Sequence, residues 1–351
     1  MNYRENKLYL DDITYASNLE LSWNKLQDKT ILISGATGLV GCFFIDVIMK
    51  KNEDGLNCKI IVLGRNKQRA VERFSDYLEN GYLEFIEHDI NEPINLDKNI
   101  TLDYVIHMAS NTHPLQYSKA PIQTITTNVF GTYNMLNEAT KHKNARCVII
   151  SSNEIYGENR GDVEKFSEDY CGYIDSNTLR AGYPESKRCS EALAQAYITE
   201  KGLDCVIARI TRTYGPTILS TDTKAMSQFI NKAINGEDIV LKSKGDQYFS
   251  YAYVLDSVTG LLTVMLEGEC SHAYNISDES SDIRLRDLAS LIATKVGKKV
   301  IFDLPDSIEA AGYSKATKAR LDSAKINSLG WKAKYNIEEG IERTLRILKE
   351  I

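Results

Sequence analysis

Apolar residues recur along this chain in two rhythms. Six short stretches, at 30–34, 59–63, 82–87, 103–107, 146–151 and 205–210, are apolar at consecutive positions and rich in β-branched residues. That is the pattern of strands buried on both faces of a parallel sheet. Between them, segments near 39–50, 67–79, 122–141 and 185–201 place apolar side chains three and four apart, as one face of a helix requires. Repeated strand–helix–strand units predict an α/β fold, a Rossmann-type doubly wound parallel sheet. After Gly215 and Pro216 the rhythm changes to a helix near 224–235, short strands near 239–241 and 251–254, helices near 256–266 and 286–295, and an amphipathic helix near 337–349. The chain therefore divides into an N-terminal extension (1–28, with a short helix around 16–26), a main domain (29–215) and a smaller, interleaved α/β lobe (216–351), some of whose segments return to the main sheet.

The first apolar strand runs through Ser34, Gly35, Ala36, Thr37, Gly38, Leu39, Val40 and Gly41 into a helix. Glycines at this junction allow a tight turn, close backbone approach by a pyrophosphate and close helix-to-strand packing, while the helix N-terminus offers free N–H groups to phosphate. A dinucleotide is the expected ligand, held by Gly35, Thr37, Gly38, Leu39, Val40 and Gly41. The second strand ends in Leu63, Gly64, Arg65, Asn66, Lys67, Gln68 and Arg69, without the acid that would bind a ribose 2′-hydroxyl. Arg65, Asn66 and Arg69 suit a 2′-phosphate, so the expected cofactor is NAD(P), with a slight lean to NADP; the alternative is a solvated basic helix start.

Composition narrows the classes. Forty-two basic against forty-eight acidic residues give a formal charge of −6, so no general basic field attracts nucleic acid. Seven scattered cysteines form neither a CxxC pair nor a zinc spacing, and the five histidines contain no HExxH; His107 and His113 flank a strand end, and no metal is expected. No apolar run is long enough to span a membrane or act as a secretory segment, which places the protein in the cytoplasm as an expectation.

A catalytic group follows the fifth strand. Ser152, Asn153 and Glu154 stand at its end, and Tyr183, Pro184, Glu185, Ser186 and Lys187 lie further on. With Pro184 in a first helical position, Tyr183 stands where the helix begins and Lys187 one turn later on the same face. The ammonium is expected to draw the phenol pKa down from its reference of about 10, and Ser152 to bond the same substrate oxygen. The three can then move a proton while a nicotinamide takes a hydride.

With these residues in place the chain resembles the extended short-chain dehydrogenase/reductases, in particular the nucleotide-sugar epimerase, dehydratase and decarboxylase group. The resemblance includes the glycine loop, His88-Asp89-Ile90, His107-Met108-Ala109-Ser110, Asn128 and Gly131 on the next helix, Arg209 to Pro216, Tyr253 to Asp256, and Leu329-Gly330-Trp331. It implies that Asp89 and Ile90 lie near adenine, that Met108, Ala109, Ser110, Asn128, Tyr183 and Lys187 also contact cofactor, and that residues after 216 mainly bind substrate. It further implies transient oxidation of a secondary alcohol, a nucleotide-activated sugar or polyol as substrate, and a homodimer formed through the helices near 122–141 and 185–201.

Ser152, Asn153, Glu154, Arg180, Arg212 and Phe249 are the expected substrate contacts, with Ser152, Glu154, Tyr183 and Lys187 catalytic. Glu154 occupies the place of a functional glutamate in related dehydratases and decarboxylases, and Arg180 resembles an arginine of UDP-glucuronate decarboxylases. Two positions depart from the pattern: Arg212 replaces an Asn and Phe249 an Arg. Arg212 is expected to take over a phosphate contact, the alternative being a local pair with Asp222 or Asp246. Epimerisation is placed first because it needs the fewest added groups. UDP-glucuronate-decarboxylase-like or 4,6-dehydratase-like chemistry, an NADPH-dependent reductase, and a noncatalytic dinucleotide-binding protein are the alternatives.

Overall fold

The computed structural model describes residues 3–112, 117, 119–303 and 317–350; His113 lies outside them. The main domain runs β1 (Thr30–Ser34), α2 (Leu39–Glu53), β2 (Lys59–Gly64), α3 (Lys67–Glu79), β3 (Leu83–Glu87), β4 (Tyr104–His107), α4 (Pro121–Thr140), β5 (Arg146–Ser152), α5 (Gly182–Lys201) and β6 (Asp204–Ile210), preceded by α1 (Lys7–Ser17). The second part contains β7 (Arg212–Tyr214), α6 (Ala225–Ile234), β8 (Ile239–Leu241), β9 (Tyr248–Phe249), β10 (Tyr251–Tyr253), α7 (Val254–Glu267) and β11 (Ala273–Ile276). It ends with β12 (Ile283–Arg284), α8 (Leu285–Lys295), β13 (Val300–Phe302), β14 (Lys318–Ala319), α9 (Ala324–Asn327) and α10 (Ile337–Glu350).

Seven parallel strands form one sheet in the order β11-β6-β5-β4-β1-β2-β3. Successive side chains of a strand point to opposite faces, and both faces are covered. Ile31 and Ile33 pack with Phe43 and Phe44 of α2, whereas Leu32 packs on the other side with Met135 and Leu136 of α4. This two-sided burial is why the strands read as unbroken apolar runs. The chain moves outward from β1 to β3 and then crosses to β4 on the other side of β1. That reversal opens a crevice beyond the carboxyl ends of β1 and β4, where open α/β sheets bind ligands.

The smaller lobe is threaded through the same body. β7 leaves the main sheet directly after β6 and pairs with β10, and β9 lies between β12 and β14. β11 then returns to the main sheet beside β6. No helix among the described residues is long and apolar enough to cross a membrane.

The N-terminal helix occupies Lys7–Ser17 and not 16–26, where only a short 3₁₀ turn, Trp23–Leu26, forms. Asn6 caps α1 by accepting from Tyr9 N–H at 3.2 Å, and Tyr9, Ile13 and Ala16 make its buried stripe. Asp12 on that helix is fully buried. It accepts from the Tyr253 hydroxyl at 2.8 Å and pairs with Arg343 of α10 at 2.7 Å. Asp12→Ala removes the acceptor of the buried Tyr253 hydroxyl and the counter-ion of Arg343, which keeps only Leu8 O and the Tyr335 ring among the described residues, and leaving a buried donor unsatisfied costs about 1–3 kcal/mol. Urea unfolding should show a loss of that order; a change below about 1 kcal/mol would mean that α1 is only loosely attached.

Candidate active site

The glycine loop is built around two close approaches. Gly35 has φ +78°, and a Cβ there would lie 2.5 Å from the Ala109 nitrogen beyond β4; a Cβ on Gly41 would lie 2.6 Å from the Ala36 backbone. Gly38 precedes α2 without a side-chain cap, so the first-turn amides of Leu39, Val40 and Gly41 have no capping side chain at the positive end of the helix. Thr37 lies in the same loop. Met108 N–H donates to Ser34 O at 3.1 Å, which joins the ends of β1 and β4. The hydroxyl of Ser110 and Oδ1 of Asn128 are buried without a partner among the described residues, while the Asn128 amide donates to Ser186 Oγ at 2.8 Å. Buried polar atoms in folded proteins are normally satisfied, so these residues fit a ligand that supplies hydrogen bonds.

At the far side, Asp89 accepts from Asn91 N–H and Nδ2–H at 3.0 and 2.8 Å, Ile90 is buried, and the Arg65 guanidinium stands 3.9 Å from Asp89. Asn66 caps α3 by accepting from Arg69 N–H at 2.8 Å. The lean to NADP therefore loses footing: Asn66 has a structural task and Arg65 faces a carboxylate. His107 is buried, shares a 2.8 Å hydrogen bond with Ser34 Oγ, and is pushed down to about 3 by burial and then by the charge of Lys187. It is a neutral core histidine, and no cluster suited to a metal ion exists among the described residues.

The end of β5 and the start of α5 bring the catalytic group together. The 3₁₀ turn Leu179–Ala181 runs straight into α5, so the helix starts at Gly182 and Tyr183 and Pro184 are its second and third residues. Pro184 thus misses the first position expected of it, yet still falls where an N–H has no helical partner. Ser152 Oγ accepts from Glu154 N–H at 3.2 Å and is near enough to the Tyr183 hydroxyl to favour its ionised form. Lys187 is buried one turn along, and its ammonium donates to Ile150 O at 2.8 Å.

The phenol does not titrate as the spacing suggested. Burial, reinforced by the negative charge of Glu154, pushes Tyr183 up to about 12, against the opposing effects of Ser152 and Arg180. Burial also pulls Lys187 down to about 8, partly offset by Glu191. The ammonium is turned to a backbone carbonyl and not to the phenol, so desolvation dominates.

Arg180 and Glu154 are joined: Nη2 of the arginine donates to both carboxylate oxygens, at 2.8 and 2.7 Å. The same guanidinium lies over the Tyr117 ring at 4.8 Å, and Tyr117 stacks on Tyr183 with centroids 5.0 Å apart. Tyr117 escaped the sequence reading because it lies outside every motif. Asn153 beside Glu154 is buried with its Nδ2 unpartnered. Behind the site, Glu191 accepts from Ser151 Oγ and pairs with Arg209 at 2.7 Å, which anchors the strand end carrying both Ser152 and the acceptor of Lys187. Arg212 and Phe249 also meet, the guanidinium lying 3.7 Å from the ring centroid. The local pairing considered for Arg212 does not form: Asp246 pairs with Arg286 and Asp222 with Lys224.

Residues 31–277 match the NAD dependent epimerase/dehydratase family. UDP-glucuronic acid decarboxylase 1 of Xenopus tropicalis is 32% identical over 322 residues, 92% of this chain and 72% of that protein. UDP-glucuronic acid decarboxylase 5 of Arabidopsis thaliana is 31% identical over 314 residues, 89% of this chain and 86% of its own. Among solved structures, a dTDP-glucose 4,6-dehydratase from Bacillus anthracis in complex with NAD superposes with a TM-score of 0.76 at 20% identity, covering 92% of this chain and 97% of that one. A UDP-glucuronic acid 4-epimerase from Bacillus cereus in complex with UDP-glucuronic acid and NAD gives 0.76 at 19%, covering 92% and 99%. With the glycine crevice at the sheet's reversal point and the Tyr183–Lys187 pair beside it, the chain belongs to the NAD-dependent epimerase/dehydratase family of extended short-chain dehydrogenase/reductase enzymes.

Proposed function

We propose that this enzyme decarboxylates a nucleotide-linked hexuronic acid through transient oxidation of a sugar hydroxyl to a ketone. The observation that carries the reading is the Arg180–Glu154 pair held against Tyr183 through the Tyr117 ring. Epimerisation needs only the proton-transfer group and a hydride acceptor, and gives that pair no task. The identity to UDP-glucuronic acid decarboxylases along about nine-tenths of the chain points the same way.

Bound NAD supplies the hydride acceptor and later returns the hydride. Gly35, Thr37, Gly38, Leu39, Val40 and Gly41 would hold its pyrophosphate, Asp89 and Ile90 would border its adenine, and Met108, Ala109, Ser110 and Asn128 would line the crevice. Arg65, Asn66 and Arg69 stand towards the ribose end. Ser152 orients the reacting hydroxyl and Tyr183 takes its proton, which requires the phenol to fall from about 12. The site has one lever for this beyond the Arg180–Glu154 pair already formed: Lys187 can turn its ammonium from Ile150 O to the phenol. Once the ketone stands β to the carboxylate, the C–C bond to that carboxylate breaks and its electron pair moves to the ketone oxygen, releasing CO₂. A protonated Tyr183 stabilises the resulting enolate; the carbon then takes a proton from water, which the Glu154 carboxylate is placed to orient, and Tyr183 gives its own proton back to the sugar oxygen as the hydride returns.

The enzyme is expected to act as a homodimer, with a second copy covering the exposed Ile122, Ile125, Phe130 and Tyr133 of α4. The function is tested by incubating the protein with UDP-glucuronic acid and NAD and following products by mass spectrometry and ¹³C NMR. Release of CO₂ with a UDP-pentose is the expected result. Formation of an epimeric UDP-hexuronic acid without CO₂ would return the reaction to epimerisation.

A further inference from the structure

We propose that Arg212, held against the Phe249 ring, and the free edge of Arg180 form a receptor for an oxyanion of the substrate. The inference rests on the reading of the substrate as a nucleotide sugar and adds which side chains recognise its charge. Arg212 opens β7, in register with Tyr251 of β10, and Phe249 lies two residues before Tyr251 on β9. At 3.7 Å from the ring centroid the guanidinium is in contact with the aromatic ring, which limits the positions open to it.

Nη1 of Arg212 is buried and has no hydrogen-bond partner among the described residues. Arg180 has the same feature: its Nη2 is engaged by Glu154, while its Nη1 is buried and unpartnered. The two guanidiniums are close enough to act on each other electrostatically, with Glu154 within reach of both. The one carboxylate beside them, Glu154, is bonded to Arg180 and leaves Arg212 without an ion pair among the described residues. The phenols around them, Tyr117, Tyr183 and Tyr251, are all pushed upward by burial and stay neutral. A buried guanidinium without a matching anion is costly, and burial pulls Arg212 below its usual pKa. A ligand carboxylate or phosphate presents the planar oxygen pair or oxygen cluster that such N–H edges bind best.

The anion has two sources in a nucleotide hexuronic acid: the sugar carboxylate and the diphosphate. Calorimetry with UDP-glucuronic acid, UDP-glucose and UDP on the wild type, Arg212→Met and Arg212→Lys distinguishes them. Methionine keeps length and apolar contact with Phe249 but removes the charge. Arg212→Met should weaken UDP-glucuronic acid at least about tenfold, with NAD affinity and thermal midpoint unchanged and partial recovery in Arg212→Lys. Equal weakening of all three nucleotides assigns the receptor to the diphosphate; weakening of UDP-glucuronic acid alone assigns it to the carboxylate. Unchanged affinities for all three in a folded variant, or no binding of any of them by the wild type, overturn the receptor. Wild-type binding of UDP-glucuronic acid without CO₂ release sinks the decarboxylase reading and leaves the receptor standing.

Discussion

Tyr183→Phe should lower turnover by about two to four orders of magnitude, the range contributed by a positioned proton-transfer group, while NAD affinity stays within about twofold. The substitution removes one oxygen from a buried ring. That ring keeps its stack on Tyr117 and its place in the second position of α5, so the fold has no cavity to absorb. The lost hydroxyl lies near Ser152, and without it the pair cannot take the proton of a sugar hydroxyl or support an enolate. Steady-state turnover on the substrate identified by product analysis, beside calorimetric NAD binding, separates the two effects. Near wild-type turnover would remove Tyr183 from the chemistry and leave Glu154 as the candidate base.

Gly35→Ala should weaken NAD binding at least about a hundredfold. At φ +78° an L-residue carries a strain of roughly 1–2 kcal/mol. The larger effect is steric: the new methyl would lie 2.5 Å from the Ala109 nitrogen and 2.7 Å from its Cα, both backbone atoms, so no rotamer change relieves it. Either the loop or the segment after β4 must shift, and these are the two walls of the crevice. Gly55 supplies a control, since it has φ +90° with nothing within 4 Å of its would-be Cβ. Gly55→Ala should carry only the strain and bind NAD normally. If Gly35→Ala also binds NAD as the wild type does, the loop is not the cofactor's cradle.

Much of this fold was legible because the main sheet is buried on both faces. Apolar runs such as 30–34 and 205–210 then have one reading, and the glycine loop between a strand and a helix carries its own geometric reason. The N-terminal helix was placed too late because its stripe of Tyr9, Ile13 and Ala16 is interrupted by Asp12, whose charge is matched only by Arg343 at the other end of the chain. Tyr183 and Lys187 were found by spacing, but their proton affinities were not, since those depend on how fully the surrounding lobes exclude water. Tyr117 and the Glu191–Arg209 pair are products of tertiary contact with no local signature. The Arg212–Phe249 contact lies between: each residue stood out as a departure from the family pattern, but only the fold shows that one lies on the other.

The Asp12–Arg343 pair has a consequence for how the protein is made. Its partners are 331 residues apart, so during synthesis the carboxylate of Asp12 leaves the ribosome long before the guanidinium that matches it. Chains are released N-terminus first at roughly 5–20 residues per second, which leaves α1 waiting tens of seconds for the guanidinium that matches its carboxylate. Until then Asp12 is better hydrated than buried, and α1 cannot dock fully against the α10 side of the body. Full docking of α1 on α10 therefore waits for residue 343, and a nascent chain stalled before it should hold α1 open to protease.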